Sequence, residues 1–172
     1  GKRQRNFKNA EAAWKVITNA HKKVARVLNL ERIWQEGEHV SHAQYKKLMA
    51  WVYFKWLADI SPRRLEDTDT KYVTAAAWNN MSDAQKDESN WVLMDKKWTW
   101  EVRVYKTRST YGAVSIPIGR SLKAALRKLQ PIAASKNIEG YIFLNSKWRQ
   151  LGRNSLSTLI KTWFKTYLGK SW

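Results

Sequence analysis

Three basic side chains in two sharply defined segments are the residues of this chain best suited to chemistry. Arg63 and Arg64 stand in Ser61-Pro62-Arg63-Arg64-Leu65-Glu66-Asp67, and Lys106 stands in Tyr105-Lys106-Thr107-Arg108-Ser109-Thr110-Tyr111-Gly112. Ser61 reads as an N-cap and Pro62 as the first helical residue, which sets both arginines in the first turn of a helix. Free backbone N–H groups and the helix dipole would act there with a guanidinium on an anion. Lys106 is predicted at a hairpin tip, held by a short turn between two alternating runs. Trp98, Trp100, Val102 and Val104 share one face of the first run; Val114, Ile116 and Ile118 share one face of the second. Helix-start arginines and a hairpin lysine together suit the handling of a phosphate. Taken singly, each has a plainer reading, an exposed ion pair at a helix start or a solvated turn lysine.

The elements that must position these groups are legible from spacing and caps. Over residues 10–28, Trp14, Ile17, Val24, Val27 and Leu28 recur at helical spacing, with His21 at the stripe's boundary. Ser41 and Gln44 predict a capping box, and Val40 with Tyr45 a hydrophobic staple, opening a helix to about Ala58. That helix is apolar on most sides and so is central. The polar stretch 79–90 is predicted as a loop, 91–95 as a first strand and Lys96-Lys97 as a turn. Pro117 sets the last strand at an edge or strand end. Ser121 is expected to cap a basic helix that stops at Pro131. After the short apolar run 141–144, Asn154 or Ser155 is expected to cap a final helix ended by Gly169. The order is α+β: a mainly helical domain with a small three-stranded antiparallel sheet.

Composition narrows the partner. With 172 residues, 44% hydrophobic content and 11 Trp, the chain can pack a core. Its net charge of +18 calls for a polyanion, and nucleic acid is the commonest one. The charge is uneven: +8 over residues 1–58, −3 over 59–90 and +13 over 91–172. No apolar run approaches a membrane span, and no signal-peptide pattern is present. The absence of cysteine rules out disulfides and thiol chemistry. It fits a reducing compartment where DNA is present, whether nucleus, cytoplasm or virion. No metal site or cofactor is expected.

The order of helix, Pro62-Arg63-Arg64-Leu65-Glu66, three strands with Lys106-Thr107 at the second hairpin, basic helix, Tyr141-Ile142-Phe143-Leu144 and capped helix resembles the tyrosine recombinase (phage integrase) superfamily. The type found in large DNA viruses and eukaryotic mobile elements is the most similar. The resemblance covers roughly Val40 to Trp172. It implies that 39–172 is the N-terminal part of a recombinase catalytic domain, and that 1–38 is a basic segment and helix, a linker or the end of a DNA-binding arm. It departs from the family where a His-x-x-Arg box and a nucleophilic Tyr should follow: none of His21, His39 and His42 begins such a box. Tyr167 lies in an apolar stripe and reads as core. The expectation is therefore a core incomplete at its C-terminus and inactive alone: first a fragment of a complete protein that breaks and rejoins DNA as a homo-oligomer, second a naturally shortened, inactive paralogue.

The resemblance also assigns roles. Arg63 would clamp a non-bridging phosphate oxygen, Lys106 would protonate the leaving 5′-oxygen, and Glu66 would support Arg63. Double-stranded DNA is the implied partner, with no membrane role. Arg64, Arg108, Arg120, Lys123, Arg127, Lys147, Arg149 and Arg153 are the expected backbone contacts. Trp148, in a basic loop, is the tryptophan expected to stack on DNA, whereas Trp51, Trp56 and Trp163 are assigned to the core. The rival reading is a non-catalytic basic nucleic-acid-binding or structural protein whose hairpin is only a DNA finger.

Overall fold

The computed structural model describes residues 30–60, 66–105 and 108–169. The helix expected over 10–28, His21, and the Ser61-Pro62 helix start lie outside them. The first described helix, α1 (Leu30–Glu36), is followed by a 3₁₀ turn (Gly37–His39) and by α2 (His42–Asp59). The Ser41 hydroxyl takes the Gln44 N–H while the Gln44 side chain takes the Ser41 N–H, so the predicted capping box is present. Val40 and Tyr45 are both buried. Buried residues occur on every side of α2, from Leu48 and Met49 to Trp56 and Leu57, which makes it the central helix. Leu30 and Ile33 of α1 belong to the same core.

A 3₁₀ turn (Glu66–Asp69) leads into β1 (Thr70–Thr74), then the short helices α3 (Ala75–Asn79) and α4 (Asp83–Lys86), then β2 (Asn90–Met94) and β3 (Thr99–Val102). After α5 (Arg108–Tyr111) come β4 (Val114–Pro117), α6 (Arg120–Lys136) and α7 (Arg153–Trp163), which continues as a π turn (Phe164–Leu168). The sheet order is β1-β2-β3-β4. β2, β3 and β4 form the expected antiparallel meander, and β4 with Pro117 is an edge. The sheet is nonetheless four-stranded and mixed, because β1 pairs parallel to β2 from Thr70↔Asn90 to Thr74↔Met94. Parallel strands need a crossover of a dozen or more residues. The polar stretch read as a loop is that crossover, with Thr74 capping α3 and a second capping box, Ser82 with Gln85, opening α4.

Two helix ends also differ from expectation. α6 begins at Arg120 rather than after Ser121, because Asp59 of α2 accepts the Gly119 N–H at 2.7 Å. It runs through Pro131 to Lys136. The N–H that proline lacks would have bonded the Arg127 carbonyl. Both residues are on the exposed side, where water can take that carbonyl, while Ile132 and Ala133 bury beyond it. α7 begins at Arg153 after Gly152, just ahead of the expected caps, and the left-handed Gly169 (φ 62°) follows its π turn as predicted. The core joins α2, α6, α7 and one face of the sheet around Trp100, Tyr45, Phe54 and Phe143. Trp56 meets Trp100 edge-on at 4.9 Å. A smaller cluster of Val73, Trp91 and Leu93 lies with Trp78 and Met81.

Candidate nucleic-acid interface

One end of the sheet gathers the segments that flank the candidate chemistry. β1 and β2 begin there, with Thr70 opposite Asn90, and β3 ends and β4 begins there, with Val102 opposite Val114. The 3₁₀ turn that starts at Glu66 therefore enters the sheet at the end where the chain crosses from β3 to β4. A buried side chain of β2, the strand between them, holds the start of that crossing. Asn90 Oδ1 accepts the N–H groups of Arg103 and Val104, both at 2.7 Å, and its Nδ2 donates to the Val104 carbonyl at 3.1 Å. These bonds hold the backbone just after Val102 to β2. The crossing is accordingly not the short hairpin turn expected: it spans 103–113 and contains the helical turn α5.

The described flanks of Lys106 are firmly held. Asp87 Oδ1 accepts from Arg103 Nη1 at 2.8 Å and from Arg108 Nη2 at 3.1 Å. These two bonds, Arg103's first, hold the Asp87 carboxyl below its ordinary range. The Arg103 guanidinium also lies 5.3 Å from the Trp78 ring centroid. Tyr105 donates its hydroxyl to the Gly112 carbonyl, and the Arg108 N–H returns to the Tyr105 carbonyl at 3.2 Å. Gly112, at φ 73°, accommodates the turn into β4. Lys106, Arg63 and Arg64 themselves lie outside the described residues, as does the side chain of Glu66. Arg108, expected on DNA, is engaged by Asp87.

At the same end, Asp69 accepts from Gln150 Nε2 at 2.8 Å and pairs with Arg153 at 3.5 Å. Gln150 also donates to the Thr68 carbonyl at 2.9 Å. Gln150 closes a tight loop through its bridge with Leu144. Inside the loop Asn145 Oδ1 accepts the N–H groups of Lys147 and Arg149. Lys147 and Arg149 are exposed at its tip. Trp148 points the other way: it adopts φ 61° and meets His42 and Tyr45 edge-on, each at 5.4 Å. Lys136 sits 4.7 Å from its ring centroid. The geometry therefore gives Trp148 a packing partner set. Tyr167 is half-buried, edge-on to Phe54 at 6.5 Å, while Tyr111 is 73% exposed.

Arg120, Lys123 and Arg127 project from the outer side of α6, away from its buried Leu122, Ala125, Leu126 and Leu129. Among the described residues, no group of His, Asp and Glu is arranged to hold a metal ion, and no helix is long and apolar enough to cross a membrane. Comparison of the chain with known protein families, with characterised proteins and with solved structures finds no match. Sequence reading did not single out Asp87 or Asn90. Asp87 and Asn90 sit in a polar run, Asp87-Glu88-Ser89-Asn90, whose members look alike until β1 and β2 pair.

Proposed function

We propose that this chain carries the first-arginine and lysine half of a DNA strand-breaking and rejoining site of the tyrosine recombinase type. The observation that supports the reading is the shared sheet end. The segment that follows Arg63 and Arg64 enters β1 at the sheet end where the 103–113 crossing leaves β3, and Asn90 of the intervening β2, in register with Thr70, holds the start of that crossing through its side chain. Such an arrangement can bring Arg63 and Lys106 to one phosphodiester. A tyrosine oxygen would then attack phosphorus, giving up its proton to a base. The bond from phosphorus to the 5′-oxygen breaks as Lys106 delivers a proton to that oxygen, and the new phosphotyrosine conserves the bond energy for rejoining. Arg63 would stabilise the charge developing on the non-bridging oxygens. The His-x-x-Arg box and the nucleophile would come from residues other than those of this sequence.

A non-catalytic DNA-binding module is the second reading, favoured by the net charge of +18, which it explains without any catalytic residue. The distance between residues 63 and 106 separates the two. Spin labels at Arg63→Cys and Lys106→Cys should lie well within the radius of gyration expected for a chain of this length, roughly 16 Å. A longer separation, on opposite sides of the domain, would remove the recombinase reading and leave the binding module.

A further inference from the structure

The outer face of α6 carries more positive charge than a solubilising surface requires, and its own helix supplies nothing to offset it. Arg120, Lys123, Arg127 and Lys128 line, with Ala124 as floor, a shallow open groove of about 460 Å³. No Asp or Glu occurs anywhere in 120–136. Asp59, at the start of the helix, is committed to the Gly119 N–H. Lys55 reaches the face from α2, donating to Ser121 Oγ at 3.1 Å. Burial, then the nearby Lys128 charge, lowers the affinity of Lys55 for its proton, as expected where cations crowd.

Rings help to place the lysines. Lys55 lies 4.5 Å from the Trp51 ring centroid, Lys128 5.5 Å from Trp34 and Lys123 5.9 Å from Trp98. Trp34 and Trp51 brace each other edge-on at 5.5 Å. A cation–π contact orients an ammonium without cancelling its charge, so Lys55 and Lys123 add to the charge of Arg120 and Arg127. Each of these rings has an ammonium over one face. Exposed large apolar side chains among the described residues are Tyr111 and Ile138, and neither is on this face.

We propose that the outer face of α6, with Lys55 of α2, is a phosphate-backbone track for a nucleic-acid duplex. From Arg120 to Arg127 the helix rises about 10 Å at 1.5 Å per residue, the rise of about three phosphates along one strand. The track is separate from the candidate chemistry. α6 starts just after Pro117, which pairs with Thr99 at the sheet end opposite the 103–113 crossing. Lys123 rests on Trp98, which immediately precedes β3 at that same opposite end. The track deepens the DNA-binding part of the proposed function but does not depend on any strand cleavage.

Two measurements on one duplex of random sequence test it. In the unmodified chain, the duplex should protect Lys55, Lys123 and Lys128 from acetylation, read by mass spectrometry. Unprotected lysines in a chain that is bound would overturn the track. In the Arg120→Gln/Lys123→Gln/Arg127→Gln variant, the slope of log affinity against log salt should flatten by roughly 2–3, at about 0.9 for each phosphate that is no longer neutralised. An unchanged slope in a folded variant would also overturn it; should the variant not fold, the acetylation pattern decides. Equal protection by polyglutamate at matched charge would reassign the face to acidic proteins. If residues 63 and 106 prove far apart while the α6 lysines are protected, the recombinase reading fails and the track stands.

Discussion

Arg108 Nη2 lies 3.1 Å from Asp87 Oδ1, so the segment after Lys106 is tied to the end of the β1-to-β2 crossover. Arg103, on the near side of Lys106, shares the same oxygen at 2.8 Å. One carboxylate thus brackets the lysine-bearing crossing from both sides.

Replacing Asp87 by Ala should loosen that crossing. Amide hydrogen exchange at Arg108 and Gly112, whose N–H groups bond within it, should speed up while the β2–β3 ladder keeps its protection. The pH dependence has a definite sign. The Asp87 pKa is depressed in the folded chain, so its contribution to stability is fully present above the unfolded carboxylate value and is lost as pH falls through the lower folded value. The stability difference between the native chain and Asp87→Ala should therefore be constant near neutrality and shrink in acid. A difference that grew on acidification would contradict the clamp.

The junction of α2 and α6 predicts a coupled pair. A Cβ on Gly119 would stand 2.1 Å from Asp59 Oδ1, although Gly119 has an ordinary negative φ. Space rather than backbone conformation requires glycine there. Gly119→Ala forces the carboxylate aside and loses its bond to the helix start, worth about 1 kcal/mol for a cap. In an Asp59→Ala background the same substitution meets no carboxylate, and should instead gain about 0.4–1 kcal/mol from a stiffer unfolded chain. Denaturant unfolding of the four proteins should show this non-additivity. Equal effects of Gly119→Ala in both backgrounds would show that Asp59 does not cap α6.

How much of this was legible in the sequence depended on whether the signal was local. The Ser41–Gln44 box, the Gly169 stop, the edge position of Pro117 and the alternation of Trp98, Trp100 and Val102 are all short-range, and each is present in the fold. Residues 70–74, Thr-Lys-Tyr-Val-Thr, carry strand-forming types, yet only pairing with β2 buries Thr70 and Val73. Trp148 shows the same limit: its neighbours in sequence are basic, whereas a left-handed backbone sets its ring against Tyr45. Asp59's role at Gly119 links positions 60 apart, beyond any spacing rule.

Tyr45 joins the α2 core to the run 141–144 by donating its hydroxyl to the Ile142 carbonyl at 2.5 Å. Burial pushes the hydroxyl above the ordinary tyrosine range, so it is a donor at neutral pH. Tyr45→Phe keeps the ring against Trp148 but leaves a buried carbonyl short of a donor, at a cost of about 1–3 kcal/mol. Thermal unfolding should register that loss while duplex affinity at a temperature where both proteins are folded stays unchanged. A loss of DNA binding without a loss of stability would place Tyr45 and Trp148 in the interface instead of beneath it.

The proposed chemistry makes the most discriminating prediction. The 172 residues contain no His-x-x-Arg, and Tyr167, near the end of the described residues, is half-buried against Phe54. On a nicked duplex that prevents religation, these residues alone should therefore trap no covalent adduct, because losing the nucleophile removes the phosphotyrosine path altogether. A longer polypeptide in which a His-x-x-Arg box and a tyrosine follow these residues should trap one. In that polypeptide Arg63→Ala should slow adduct formation by about 10²–10³, the usual consequence of deleting one group that stabilises developing charge. Lys106→Ala should also slow it, and a substrate with a better 5′ leaving group should restore the rate for Lys106→Ala but not for Arg63→Ala, since only the lysine is assigned to protonating that oxygen. Rescue of both variants alike would show that Lys106 is not the acid. An adduct formed by the 172 residues alone would point to Tyr111, which is 73% exposed on the same crossing as Lys106.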